Sequence, residues 1–462
     1  MSQVGPFTSA LRFNQHSAMN STSRTISVAI VGGGIAGLAL AAGLIKKPHL
    51  EVHVYEAVAA YRDVGAGLAL HHNALEAMGL IGPEVRQAYL NKAISIASEE
   101  DEVIVTEVCI AQGPHAGDLV AELGRAKGRK SVSRADLLKG LLALISPDRI
   151  SFSKRLWKVH PHPDSTSKIH LEFSDNSFAS ADCVLGADGV HSVIRCHLLG
   201  PSHPATTPKN HDRWQIYRTL VTSDFARQYI DDKFTRTVPI LLGPRGHVNC
   251  IPLNKGSRLS AGIAIRGAAP PTSHDKSDWP TPPPTLDPSQ YKDYHPEAQR
   301  IISLIALDPS ASWQALDHDR APYYSRGKIA MLGDAAHTAL PFAGNGAGQA
   351  LEDAAVLNRL FDEVREDEHI ALALEAYNTV RLARTQRVVE LARMFGRVFA
   401  FAQEGIGADP DKIGGFLKDA GEYMNEYDVR GAAEGAVEVL SLLRRERQGG
   451  MAEDLERDPR RA

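Results

Sequence analysis

Ile26-Ser27-Val28-Ala29-Ile30-Val31-Gly32-Gly33-Gly34-Ile35-Ala36-Gly37-Leu38 is the stretch on which the reading of the fold turns. Six residues of strand-like character run into closely spaced glycines, and Leu38 to Lys47 continues as a helix. A second apolar strand, Glu51 to Tyr55, ends at Glu56, 19 residues after Gly37. Such a strand–turn–helix–strand opening is built for a dinucleotide. Gly32 allows the turn, Gly34 lets the backbone approach a pyrophosphate, and Gly37 packs the helix on the strand. The helix N-terminus offers free N–H groups to the phosphates, and Glu56 can accept from ribose hydroxyls. Val28 to Ile45 is apolar enough to resemble a membrane span, but its five glycines mark a turn between two buried elements. No membrane span is expected.

Outward from this opening, Ile94 to Ile110 alternates like antiparallel strands, and Arg134 to Ile145 has helical periodicity. Asp182 to Leu185 reads as a buried strand running into Gly186-Ala187-Asp188-Gly189. Trp214 to Val221 and Val248 to Ile265 are strand-like and far from any helical pattern, which suggests a separate antiparallel sheet. Ala269 to Ser289 holds seven prolines and reads as an irregular surface excursion. Lys328 to Leu332 is again a buried strand. A helix follows from about Gly348, and Ile370 to Glu404 is almost wholly helical in pattern.

The bulk composition sets limits. The 462 residues are 43% hydrophobic and 23% charged, with a net charge of −4, so no basic footprint points to nucleic acid. Cys109, Cys183, Cys196 and Cys250 form no Cys-x-x-Cys pair. Neither a disulfide framework nor a metal site is expected, and a reducing, cytoplasmic setting fits. Residues 1–24 are rich in Ser, Thr, Asn and Gln and read as a disordered arm. From Arg444 to Ala462, Arg alternates with Glu and Asp, which reads as a solvated, disordered tail.

Three further segments join the opening motif. Cys183-Val184-Leu185-Gly186-Ala187-Asp188-Gly189-Val190-His191-Ser192-Val193-Ile194-Arg195 is the first. The second is Lys328-Ile329-Ala330-Met331-Leu332-Gly333-Asp334-Ala335-Ala336-His337, followed by Pro341 and Gly344-Asn345-Gly346-Ala347-Gly348-Gln349-Ala350-Leu351-Glu352-Asp353-Ala354. The third is Ser133-Arg134-Ala135-Asp136-Leu137-Leu138. In order and approximate spacing these landmarks resemble the single-component FAD-dependent aromatic hydroxylases, and most of all their salicylate-hydroxylase-like branch, which includes fungal enzymes acting on phenolic intermediates. The resemblance covers most of Ile26 to about Arg397.

That likeness implies an α/β chain with a Rossmann-like FAD-binding domain, an antiparallel substrate domain and a helical C-terminal region. The FAD-binding domain would take 25–90, 127–206 and 318–365, the substrate domain 91–126 and 207–317, and the helical region 366–443. It implies FAD as cofactor, NADH or NADPH as co-substrate, and O2 activated as a flavin C4a-hydroperoxide that attacks a small phenolic or related aromatic substrate. A monomer or homodimer is expected. Expected FAD contacts are Gly32, Gly34, Gly37, Glu56, Gly67 in the Gly65-Ala66-Gly67 turn, Arg134, Asp188, Asp334, Gly346 and Ala347. Asp334, at a strand's C-terminal end, can accept a ribitol hydroxyl. Asp188 would orient nearby backbone and waters, with a helix cap as its structural alternative. His337 reads as a structural turn residue.

For the substrate, Gln215 to Val221 alternates so that Arg218 shares a face with Ile216 and Leu220. A guanidinium on an apolar face needs an anion, either a phenolate or carboxylate substrate or a structural acid. Arg218, with Tyr217, is the candidate catalytic pair; the resembling phenol hydroxylases place an arginine in a similar strand. Weaker pocket candidates are His247, Asn249, Tyr323 and Phe342. The chain departs from many of those relatives at Phe342-Ala343, where a His or Gln often follows the proline. Trp157, Trp214, Trp279 and Trp313 never form the Trp-x-Trp-x-Ile-Pro stretch of flavin halogenases. A flavin epoxidase of a non-aromatic substrate and a non-catalytic flavin-binding scaffold or redox sensor are the competing readings.

Overall fold

A computed structural model describes residues 25–61, 67–95, 103–127, 130–160, 168–253, 256–267, 285–309 and 311–457. The expected N-terminal arm, Gly65, Ala66 and most of the proline-rich excursion lie outside the described residues.

The opening motif folds as its residues require. Strand Ile26–Val31 lies between Leu50–Tyr55 and Cys183–Gly186, parallel to both, with Val28 level with Val52 and Cys183. Ile329–Met331 extends this sheet in parallel and Ser325–Arg326 closes its edge, giving six strands with Ile150–Ser151 at the other side. Helix Ile35–Leu44 is buried from Ala36 to Leu44. Its small residues let it approach both the sheet and helix Gly346–Leu360. Leu38, Leu40 and Leu44 have no exposed surface, and each contributes about 1.5–3 kcal/mol of burial. Two glycines of the motif are demanded by close approach. Gly32 has φ +105°, and a Cβ there would lie 2.2 Å from Ala187 O. A Cβ on Gly37 would lie 2.0 Å from Gly32 O.

The second sheet has seven strands, in the order Ala311–Gln314, Gln215–Thr222, Arg258–Ile265, Gly246–Leu253, Ile240–Gly243, Val103–Ile110, Leu119–Lys127. All neighbours are antiparallel except Ile240–Gly243 against Val103–Ile110. The run read as Val248 to Ile265 is thus two strands of a hairpin. One face of this sheet packs on helix Pro296–Leu307 through Tyr217, Val248, Cys250, Ala261 and Ile263. The opposite face meets the second half of helix Glu368–Phe399, where Ile216, Leu242 and Phe342 pack with Leu391, Phe395 and Phe399. The first half of that same helix buries Ile370, Leu374 and Tyr377 in the core of the parallel sheet. One 32-residue helix therefore clamps both sheets.

The C-terminal expectation needs a correction. Helix Val429–Arg457 runs straight through the segment read as a disordered tail from Arg444, as far as Arg457. Val429, Ala433, Ala436 and Leu440 bury one stripe of it, and Arg444 Nη2 donates to Glu363 O at 2.6 Å. Arg445, Glu446 and Arg447 are exposed on it. Among the described residues no helix is long and apolar enough to cross a membrane, and no group of three or more His, Cys, Asp or Glu is placed to hold a metal ion.

Candidate functional site: a dinucleotide cradle and the Arg218 strand

Three chain turns converge at the C-terminal ends of the parallel strands. In the first, Gly34 caps helix Ile35–Leu44 without any side-chain cap, so the first-turn N–H groups stay available to an anion. A Cβ on Gly34 would meet nothing within 4 Å among the described residues. Glu56 ends the neighbouring strand, nearly buried. Its Oε2 accepts from Gly33 N at 2.6 Å and its Oε1 from Val58 N at 2.8 Å. Glu56 first of all holds the glycine loop, and each oxygen keeps a second lone pair for a ribose hydroxyl. Tyr61, which no motif flagged, donates to Gly33 O at 2.6 Å. Its phenol is pushed upward by burial and by Glu56, with Arg134 opposing. Arg134 therefore stands near this loop, exposed at the first position of helix Arg134–Leu142. Ser133 caps that helix, accepting from Asp136 N at 3.0 Å.

The second turn is Gly333-Asp334. A Cβ on Gly333 would sit 3.0 Å from Ala36 Cβ and 3.4 Å from Ala350 Cβ. The turn is thus wedged between the first turns of helices Ile35–Leu44 and Gly346–Leu360. Asp334 is exposed there. Behind it, Asp353 Oδ2 accepts from Gly333 N at 2.9 Å and meets His337 Nε2 at 2.5 Å. Arg381 Nε reaches Asp353 Oδ1 at 2.8 Å and its Nη1 reaches Glu352 Oε2 at 2.6 Å, all fully buried. Burial would raise the Asp353 carboxyl, but the His337 and Arg381 charges outweigh it and hold the group at about 2. The third turn is the Gly346-Ala347 start of helix Gly346–Leu360. Gly346 is exposed, and a Cβ on it would meet nothing within 4 Å. The preceding Asn345 is tied by its Nδ2 to Asn425 Oδ1 at 2.9 Å.

Two expected contacts take other duties. Asp188 accepts from Ser192 Oγ at 2.5 Å, Val193 N at 2.7 Å and Ile194 N at 3.1 Å. It holds the first turn of helix Val193–Leu199, whose N-cap is Ser192, and burial raises its carboxyl in spite of these bonds. Gly67 is where the chain touches the second sheet, since a Cβ there would lie 2.8 Å from Leu253 Cδ2 and 3.0 Å from Ile251 Cγ2. Arg195 was not singled out as a site residue. Buried, it donates to the carbonyls of Ala335 (3.0 Å), Ala336 (2.6 Å) and Asp319 (3.1 Å), tying the Asp188 helix to the Asp334 turn.

The seven-stranded sheet meets the segments of the cradle at Gly67 and at Phe342. Across it, Ile216, Ala264, His247 and Leu242 form one row, and Arg218, Gly262, Asn249 and Ile240 the next on the same face. Arg218 Nη1 donates to Ser260 Oγ at 3.1 Å, and its guanidinium lies 5.9 Å from the Trp313 ring centroid. Burial pulls its pKa down. Phe342 closes one end, its ring centroid 5.2 Å from that of His247 and 4.5 Å from that of Trp214. Tyr217 does not join Arg218. Strand alternation turns it to the other face, into the core under helix Pro296–Leu307. Tyr323 is likewise elsewhere, donating to Leu198 O at 2.8 Å.

Gly34 and Gly346, with uncapped helix N-termini and the carboxylates of Glu56 and Asp334, fit a dinucleotide such as FAD. A family model described as FAD binding domain matches residues 25–392. The 6-methylsalicylate 1-monooxygenase atA of Aspergillus terreus is 38% identical over 398 residues, covering 84% of this chain and 86% of that protein. A salicylate hydroxylase of Pseudomonas putida is 29% identical over 423 residues, covering 89% and 94%. A solved salicylate hydroxylase substrate complex superposes with a TM-score of 0.74 at 27% identity, covering 90% of this chain and 98% of that one. The chain belongs to the FAD binding domain family. Within it, the protein is an FAD-dependent monooxygenase of the salicylate-hydroxylase type.

Proposed function

We propose that the protein uses NADH or NADPH and O2 to hydroxylate a small phenolic acid of the salicylate class, bound on the sheet face that carries Arg218. The single observation behind this substrate class is the half-buried Arg218 guanidinium, set on the sheet face beside the Trp313 ring. Planar acids match such a site, because the two-pronged guanidinium takes the anionic group. The identity to a 6-methylsalicylate monooxygenase supports the same class.

FAD, when bound, supplies the oxygen chemistry once it has been reduced. Gly34 and Gly346 hold the helix N-termini open toward its phosphates and ring, and Asp334 and Arg134 bind its polar chain. Arg218 orients the substrate and favours its anionic form. Phe342 and the helix Glu368–Phe399 behind it exclude water from the reacting ring. The four cysteines are all free, which fits a cytoplasmic enzyme. The test is a panel of hydroxybenzoates and benzoate given to the FAD-loaded protein. NAD(P)H oxidation stimulated by a hydroxybenzoate, with one oxygen atom from 18O2 in the product, supports the reading. Oxidation that no aromatic acid stimulates overturns it.

A further inference from the structure

Asn345 begins helix Gly346–Leu360, yet its side chain makes no cap bond to that helix. An asparagine in this place ordinarily accepts, through its side chain, from the N–H of the second or third helical residue. Here both ends of the amide are engaged elsewhere. Oδ1 accepts from Gln349 Nε2 at 2.8 Å. Nδ2 donates to Asn425 Oδ1 at 2.9 Å and makes a longer contact to Met424 O at 3.5 Å. The residue is buried, and its backbone stands at φ −111°, ψ 0°, outside the extended region a capping residue adopts. The oxygen nevertheless lies beside the first turn, since a Cβ on Gly348 would sit 3.0 Å from it.

Asn425 is the last residue of helix Pro410–Asn425, in the C-terminal helical region. Arg384 fastens this helix end. Its Nη1 donates to Tyr423 O at 2.7 Å and its Nη2 to Met424 O at 2.9 Å. The guanidinium also lies 4.8 Å from the Tyr423 ring centroid and 4.2 Å from that of Tyr427. The same Nη2 reaches Glu352 Oε1 at 3.2 Å, where Gln349 Nε2 (3.0 Å) and Asn73 Nδ2 (2.6 Å) donate as well. Asn345 is therefore held from two sides: by a fixed C-terminal helix end, and by a buried polar cluster within its own helix. Asn345, Gln349, Glu352, Asn73 and Arg384 are all buried, and in such a network partners rather than solvent decide where an amide points.

We propose that Asn425 is a positioning residue for the flavin: by holding Asn345, it keeps that side chain off the helix N–H groups that the cofactor ring uses. The inference rests on the proposed function, which sets the ring at the Gly346 end of the helix. Without Asn425 Oδ1, Asn345 Nδ2 retains only the 3.5 Å contact to Met424 O. The amide is then free to turn, and its oxygen takes a first-turn N–H of its own helix. N–H groups at a helix N-terminus favour negative charge. The oxidised ring is neutral, whereas the two-electron-reduced ring is anionic. Losing one N–H to Asn345 therefore weakens the hold on reduced FAD more than on oxidised FAD.

The experiment compares FAD-loaded wild type, Asn425→Ala and Asn425→Gln without substrate, so an error in the substrate class leaves its readings untouched. Affinity for oxidised FAD, the two-electron flavin potential against a reference dye, and melting temperature are measured on each. Wild type is expected to bind reduced FAD more tightly than oxidised FAD, which places its potential above that of free FAD. Asn425→Ala should lose about five-fold of that preference, a fall of about 20 mV, with melting temperature little changed. Asn425→Gln, which keeps an amide acceptor, should recover part of it. An Asn425→Ala protein with the wild-type potential overturns the proposal. So does equal weakening of oxidised and reduced FAD, which would make Asn425 a support of the fold alone. If the Ala variant fails to fold, Asn425→Ser, too short to reach Asn345, takes its place with the same expectations. A wild-type potential at or below that of free FAD overturns the proposal without any variant.

Discussion

Asp353 Oδ2 is shared between His337 Nε2 at 2.5 Å and Gly333 N at 2.9 Å. One buried oxygen thereby fixes the turn that presents Asp334. This separates two carboxylates by their expected effects. Asp353→Asn leaves Arg381 short of a charge partner, and breaking a buried pair costs about 3–5 kcal/mol. Its melting temperature and FAD content should fall together. Asp334→Ala should leave melting of the apoprotein unchanged and weaken FAD by about ten- to a hundred-fold, the loss of one charge-assisted hydrogen bond. Fluorescence titration of apoprotein with FAD checks both. Unchanged affinity in Asp334→Ala would reassign that residue to shaping the turn.

The same carboxylate predicts an acid limit. Its folded value of about 2 lies below the ordinary 3.8, so ionised Asp353 favours the folded state. Its contribution is fully present above about 4 and is lost as pH falls through about 2. Wild type should therefore lose more stability than Asp353→Asn between these values, as read from denaturant midpoints at each pH. Parallel losses would remove Asp353 from the acid response.

Gly34 and Gly37 should fail in different ways. A Cβ at Gly34 meets nothing, whereas one at Gly37 would lie 2.0 Å from Gly32 O. Gly34→Val is expected to fold but remain colourless, because the added side chain fills the approach to the pyrophosphate. Gly37→Val is expected to lose the fold of the opening motif, seen as a lowered melting temperature and low soluble yield. A yellow Gly34→Val protein would show that the pyrophosphate lies elsewhere.

Arg218→Lys and Arg218→Met test the anion site. Both should keep FAD, since Arg218 belongs to the seven-stranded sheet and not to the cradle's parallel one. Lys keeps the charge but not the planar fork. Met should lower substrate-stimulated flavin reduction by about 2 kcal/mol or more in transition-state terms. If Arg218 is instead half of a structural ion pair, Met should lower melting temperature and flavin content, with no selective kinetic loss.

What the sequence made readable was the backbone's own requirements. Gly32 and Gly37 are forced by steric contact, and the Asp334 turn follows a strand too apolar to be anything but buried. Alternation puts Arg218 on one face with Ile216, and the strand register keeps them there. The same rule sends Tyr217 to the opposite face, yet it was grouped with Arg218 because neighbours in sequence look like neighbours in space. Asp188 was open to a capping reading, for Ser192 and a helix follow it directly. Other partners were out of reach. Arg195 meets Ala335 across 140 positions and Arg381 meets Asp353 across 28, and such pairings depend on tertiary packing that no local pattern encodes. The charged stretch from Arg444 reads as a tail because a solvated helix face and a disordered tail share a composition, yet helix Val429–Arg457 continues through it.

The most direct test of the monooxygenase assignment is a single turnover assay on the purified yellow protein. Reduced nicotinamide consumption, oxygen uptake and product are measured together, with salicylate and its methyl homologue as substrates. The account predicts about one FAD per chain, nicotinamide oxidation that rises sharply on adding substrate, and product containing one atom of 18O from labelled O2. A folded protein that cannot be reconstituted with FAD, or a flavinated one whose oxidation of NAD(P)H yields only hydrogen peroxide with every aromatic acid tried, would contradict it.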